Sequence, residues 1–310
     1  PGKTKNPHDI ERTPGGSSSG SAAAVASNMV PLAVGTQTNG SVIRPASYCG
    51  VIGYKPSKGL ISRHLVMPVS QTLDQVGVFS NSIEDAALIS EQLIGFDQLD
   101  PDSTLRAKPK LLKASKEKPP MKPLFAYLDL PFMNDLNKDT EEAFGEIKDE
   151  LKDQVKEVKF PEEFSKIIEW HKIIAETDMA KSFEVDYIKY KDLLSKKIIE
   201  AIERGQNYRA VEYNEALLKR EKLIKYFNEF FHNFDAIITP SACGEAPRDL
   251  SITGNPIFST IWTYCGMPSI SLPLLQGENK LPIGVQLVSS IFDDERLFRN
   301  ASWLTSKIKG

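Results

Sequence analysis

Two glycine- and serine-rich turns dominate the stretch Gly15 to Pro56, GGSSSGSAAAVASNMVPLAVGTQTNGSVIRPASYCGVIGYKP. The first is Gly15-Gly16-Ser17-Ser18-Ser19-Gly20-Ser21, and the second is Gly35-Thr36-Gln37-Thr38-Asn39-Gly40-Ser41. An Ala-rich segment and an apolar run lie between them. Glycine lacks the Cβ that restricts other residues, so few side chains stand in the way of the backbone in such turns. Successive N–H groups can then converge on an anion or a carbonyl oxygen. Hydroxyls within the turns are placed to act as nucleophiles or proton relays. The chain offers few other sources of catalytic chemistry.

At 310 residues the chain can form one large domain or two small ones, and its 41% hydrophobic content can fill a sizeable core. A formal net charge of −3 gives no electrostatic reason to expect nucleic acid or an anionic membrane as partner. No apolar run approaches the ~18 residues of a membrane-spanning helix. Cys49, Cys243 and Cys265 are too few and too scattered for a disulfide framework, and they lack zinc-site spacing. A reducing, cytoplasmic setting is the expectation. The opening PGKTKNPHDIERTP reads as loop, with three prolines in fourteen residues. A domain rarely begins in loop and reaches its richest motif within fifteen residues, so further N-terminal sequence is expected.

The Ala-rich segment Ser21–Asn28 predicts a short helix, with Ser19 or Ser21 as its N-cap. Residues 29–34 read as a buried strand ending at Gly35. Residues 41–80 mix short apolar runs with Gly and Pro and predict short strands and turns. A helix starts at Ser82, followed by early acids. The Lys- and Pro-rich residues 97–122 read as a surface connection, and 124–128 as a strand. Residues 139–232 carry apolar positions at helical spacing, such as Leu193, Leu194, Ile198, Ile199 and Ile202, and predict three or four amphipathic helices. Strand character returns at Asp235, and residues 269–275 and 283–288 predict a hairpin around Gly277. A helix over 293–308 closes the chain. Strands at both ends with helices between them imply one mixed sheet assembled from distant segments.

The two turns resemble the signature region of the amidase signature family, serine hydrolases that act on amides. The resemblance is close over residues 1–95 and recognisable again at IITPSACGEAP, GMPSISLPL and LPIGVQLV. It implies an α/β fold with a mixed, twisted sheet surrounded by helices. On that basis residues 1–310 form one amidase signature domain lacking its N-terminal portion, with a helical insertion at about 139–232. The family uses a Ser–cis-Ser–Lys triad. The resemblance makes Ser41 the nucleophile and Ser17, 24 residues earlier, the bridging serine after a cis peptide from Gly16. The backbone N–H groups of Thr38, Asn39, Gly40 and Ser41 are the oxyanion-hole candidates. Arg44 and Asp74 fall where the family keeps a structural pair that supports the loops. Ser18 is either a donor near the site or a local cap. Trp262 and Tyr264 either line the acyl pocket or fill the core.

Two departures from the family pattern stand out. Asn39 occupies a glycine position, which Asn tolerates better than most residues. No lysine of this sequence matches the catalytic lysine's motif, because Lys55 and Lys58 follow the nucleophile. The resemblance therefore implies hydrolysis of a small-molecule carboxylic amide to acid and amine or ammonia, through a Ser41 acyl-enzyme and without metal or cofactor. The residues 1–310 alone are expected to be inactive. Two other readings remain open, the A-type component of a glutamine-dependent amidotransferase and a non-catalytic remnant of the fold. Self-association into a homo-oligomer is open as well. The four histidines, His8, His64, His171 and His232, are scattered along the chain, and the serine motif has the wrong form for the nucleophile elbow of a Ser-His-Asp hydrolase.

Overall fold

The computed structural model describes residues 3–309. In chain order the helices are α1 (Ser19–Ala26), α2 (Ile43–Cys49), α3 (Ile83–Leu93), α4 (Leu111–Lys116), α5 (Lys138–Leu151), α6 (Ile167–Ser182), α7 (Glu184–Tyr190), α8 (Lys196–Asn207), α9 (Ala210–Phe230), α10 (Ile257–Cys265) and α11 (Asp294–Lys309). The strands are β1 (Leu32–Gln37), β2 (Ile52–Lys55), β3 (Gln75–Ser80), β4 (Phe125–Asp129), β5 (Val155–Lys159), β6 (Ala236–Pro240), β7 (Ser269–Gln276) and β8 (Pro282–Val288).

These strands make one sheet in the order β1-β3-β2-β7-β8-β6-β4-β5. The β4–β5 and β4–β6 pairs are parallel and the others antiparallel. The mixed sheet joins strands from both ends of the chain, as the sequence implied. Successive side chains of a strand point to opposite faces, and the core divides accordingly. Phe125, Tyr127, Ala236 and Ile238 face the layer of α3, α4, α5 and α11, with Phe144, Leu297 and Phe298. Ala126, Leu128 and Ile237 face α6, α9 and α10, where Phe227 and Trp262 are completely buried. Phe79 alternates with Val76 and Val78 in the same way, and meets α1 and α2 through Ala22, Val25, Val42 and Ala46.

Several local expectations need correction. The first helix begins at Ser19, and Ser18 precedes it without a side-chain cap bond. The first strand runs from Leu32 to Gln37, not over 29–34, and it is an edge strand: Met29 is 77% exposed and Val34 also faces solvent. Residues 43–49, read as strands and turns, form α2. Pro45 sits in its first turn, where no intrahelical donor is needed. The connection over 97–122 contains α4, whose Leu111 is fully buried in the core. The segment 139–232 holds five helices and also β5, whose Lys156, Glu157 and Lys159 form a charged outer edge. Charged side chains on an edge strand discourage pairing with another chain.

Other features match. Ser82 Oγ accepts the Asp85 N–H at 3.0 Å and caps α3. The β7–β8 hairpin closes through Gly277 N–H to Leu281 O at 3.0 Å. No described helix is long and apolar enough to cross a membrane.

Candidate active site

The first turn is tied from several sides. Gly15 has φ +80°, and a Cβ there would lie 2.8 Å from Pro45 Cα, so only glycine fits without rearrangement. The Gly16–Ser17 peptide is cis. Ser19 Oγ donates to Gly15 O at 2.6 Å. The Arg44 guanidinium, buried on α2, donates to Gly16 O at 2.6 Å and to Thr253 Oγ1 at 3.1 Å. Burial pulls Arg44 down to about 10, which leaves it charged at neutral pH. Ser17 itself is exposed. Ser18 acts as a strut: its hydroxyl accepts Thr36 N–H and donates to Thr36 O, both at 3.2 Å. The Ser18 N–H also donates to Ser41 O at 3.4 Å and joins the two turns.

The second turn hangs between α6, α10 and the segment before β3. Gln37 is buried, and its Oε1 accepts the N–H groups of Val42 and Ile43 at 2.7 and 3.0 Å. Its Nε2 donates to Thr263 Oγ1 at 2.9 Å, and that hydroxyl in turn donates to Asn39 O. The side chain of Asn39 leans on α10, where Oδ1 accepts the Thr260 hydroxyl at 2.7 Å. Gly40 lies so close to α10 that a Cβ would come within 2.9 Å of Pro256 Cβ. Asp74 accepts the Thr38 hydroxyl at 2.6 Å and the N–H groups of Val69 and Ser70 at 2.7 and 2.9 Å. Arg44 and Asp74 thus brace one turn each, and no bond joins them among the described residues.

Among the described residues, the backbone N–H groups of Thr38, Asn39, Gly40 and Ser41 donate to no protein acceptor. Ser41 is half-buried beside them. A cleft of about 230 Å³ opens alongside, bordered by Thr36, Thr38, Asp74, Arg63, Leu65 and Met67.

The two lysines that follow the second turn, Lys55 and Lys58, are engaged elsewhere. Lys55 is fully buried, and desolvation lowers it to about 7 although Asp294 opposes the shift. Its Nζ donates to Gln75 Oε1 at 2.6 Å, to Pro56 O at 3.2 Å and to Met267 O. Lys58, lowered to about 8 by burial, lies 3.1 Å from Asp102 and donates to Gln71 O.

Trp262 and Tyr264 are core side chains rather than pocket wall. Both are completely buried: Trp262 packs on Phe227 at 5.4 Å between centroids, and the Tyr264 hydroxyl donates to Ala216 O. Cys49 packs in the core with Sγ 3.4 Å from Pro14 O. Of the histidines, His8 bonds Cys49 O and His171 bonds Thr38 O, so neither pairs with a serine nucleophile. No described group of three or more His, Cys, Asp and Glu side chains could hold a metal ion.

Sequence reasoning missed His171, Gln37, Thr260 and Thr263. Only Gln37, inside the signature turn, carried a local signal. The contact from His171 on α6 spans 133 residues, at 3.0 Å from Nε2 to Thr38 O.

Known proteins resemble this chain in sequence and in fold. The sequence profile of the family described as Amidase matches residues 1–298. The A-type subunit of the glutamyl-tRNA(Gln) amidotransferase of Thermotoga maritima is 32% identical over 329 residues, spanning 96% of this chain and 69% of that protein. Its counterpart in Bdellovibrio bacteriovorus is 31% identical over 348 residues, spanning 100% of this chain and 71% of that protein. A solved structure from a vestigial protein complex, described as revealing the evolutionary origins of an s-triazine catabolic enzyme, superimposes with a TM-score of 0.90. It is 25% identical and covers 98% of this chain and 69% of its own. The fold, the two signature turns and these similarities together show that the chain belongs to the amidase signature family.

Proposed function

We propose that the protein hydrolyses a small-molecule carboxylic amide to its acid and an amine or ammonia, with Ser41 as nucleophile. The observation that carries this reading is the second turn, braced on three sides while the N–H groups of residues 38–41 stay free of protein acceptors. Ser41 Oγ would attack the carbonyl carbon, and the developing oxyanion would be held by those N–H groups. One such donor is worth about 2.7–4 kcal/mol in the transition state. Collapse of the intermediate breaks the C–N bond, and Ser17 would hand the departing nitrogen its proton. Water then releases the acid from Ser41.

Ser17 is a relay and needs a base to receive the proton. Lys55 and Lys58 are bonded away from the turns, and Lys3 and Lys5 are exposed in the opening loop. In this reading none of these lysines serves Ser17 as base, and residues 1–310 alone turn over amides poorly.

A second reading rests on the relatives named as amidotransferase subunits. The same acyl-enzyme chemistry, applied to glutamine, would then supply ammonia to a partner. Ammonia release separates the readings. Turnover of simple amides by the full-length protein alone, abolished in Ser41→Ala, supports the first. Turnover of glutamine only in a complex with further subunits supports the second. Turnover that survives Ser41→Ala refutes both.

A further inference from the structure

We infer that His171 and Thr263 are positioning residues for the oxyanion-binding turn: each pins the carbonyl of one peptide unit and so aims the N–H of that same unit. The inference rests on the reading of residues 38–41 as the oxyanion site. It adds two residues from α6 and α10, neither of them in the signature turns.

The argument begins with the peptide group. A trans peptide is planar, and its C=O and N–H point in opposite directions. The cis peptide found among the described residues is Gly16–Ser17, so the units in the second turn are trans. Thr38 C=O and Asn39 N–H belong to one plane, and Asn39 C=O and Gly40 N–H to the next. Thr38 O is held by His171 Nε2 at 3.0 Å, so the Asn39 N–H faces away from α6. Asn39 O is held by the Thr263 hydroxyl, so the Gly40 N–H faces away from α10. Both N–H groups are free of protein acceptors among the described residues. The helices therefore secure one side of two consecutive peptides and leave the donor side open.

The chemistry of the two anchors suits this task. A carbonyl oxygen only accepts, so His171 Nε2 carries the hydrogen. Desolvation pulls His171 down to about 4, so the donor is a neutral imidazole at ordinary pH. Its neighbours on α6 are apolar and buried, among them Ile167, Trp170 and Ile174. No other side-chain hydrogen bond involves His171 among the described residues, so an apolar residue would serve packing equally well. Thr263 is the end of a longer chain. The N–H groups of Val42 and Ile43 bond Gln37 Oε1, Gln37 Nε2 bonds Thr263, and Thr263 bonds Asn39 O. Hydrogen bonds in series polarise one another, so bonding at the carbonyl strengthens the N–H of the same peptide as a donor. Donors fixed before the reaction need no reorganisation during it.

The test uses the full-length protein with His171→Phe, His171→Gln, Thr263→Val and Thr263→Ser, followed by steady-state hydrolysis of a simple aliphatic p-nitroanilide. Removing one oxyanion donor costs about 10²–10³ in kcat, so misaiming one should cost on the order of 10-fold, with KM nearly unchanged. Gln and Ser keep a donor and should restore most of the loss. The backbone 1H–15N spectrum supplies a readout that packing alone would not move. The Asn39 amide should shift in His171→Phe and return in His171→Gln, and the Gly40 amide should do the same in the Thr263 pair. Unshifted amides, equal losses in Phe and Gln, or a change confined to KM would overturn the inference. Turnover retained by Ser41→Ala would overturn the reading beneath it. Turnover lost in Ser41→Ala but untouched in His171→Phe and Thr263→Val would overturn the inference alone.

Discussion

The state of His171 makes a pH prediction that can be worked through. Its ordinary value is 6.5, and burial on α6 lowers it to about 4 in the folded protein. In the unfolded chain the ring is solvated and titrates near its ordinary value. Between the two values the unfolded state binds a proton that the folded state refuses. Stability then rises with pH across that window, so it is fully present above the unfolded value and is lost as pH falls toward the folded one. One pKa unit corresponds to about 1.36 kcal/mol. Moving from about pH 7 to about pH 5 uses roughly 1.5 units of the window, or about 2 kcal/mol for this one side chain. Gln at the same position can donate to Thr38 O but does not titrate. Urea unfolding of the wild type and of His171→Gln at the two pH values isolates the term, because other titrating groups are common to both. The wild type should lose about 2 kcal/mol more than the variant. An unchanged difference between the two proteins would show that the folded imidazole reaches solvent or is already charged, and would refute the burial argument.

Other outcomes follow from the same contacts. Arg44→Ala removes the donor to Gly16 O and Thr253 from a buried position, so urea unfolding should show a loss of roughly 2–4 kcal/mol, with acylation of Ser41 slowed as the first turn loosens. Gly15→Ala forces a side chain into positive φ and against Pro45, so thermal melting should show a loss of more than about 1 kcal/mol; an unchanged Tm would contradict the tight turn. Phe227→Ala opens a cavity beneath Trp262, with an expected cost of about 3–5 kcal/mol in denaturant titration.

The parts of this molecule that sequence reading reached are the ones encoded locally. The two turns announce themselves by glycine and hydroxyl content within a few residues. The Ser82 cap and the β7–β8 hairpin are also short-range events, and both stand where the pattern put them. α2 escaped because all seven of its residues are buried, so it shows no apolar–polar period to read. β5 escaped for the opposite reason. Its VKEVK sequence is a charged edge, and among amphipathic helices such a run looks like one more solvated face. Trp262 and Tyr264 could be read either as pocket or as core, since only packing against α9 decides that. The bracing of the second turn was the least legible feature. Thr263 meets Asn39 across 224 residues, and nothing near either residue in the sequence marks the contact.

The central claim is that Ser41 carries the acyl group. The most direct measurement is covalent labelling of the full-length protein with a fluorophosphonate, followed by peptide mapping by mass spectrometry. The proposed mechanism gives a single adduct on Ser41, absent from Ser41→Ala and slowed in Ser17→Ala, where the proposed proton relay is missing. An adduct on Ser17 or Ser18, or labelling that persists in Ser41→Ala, would contradict it.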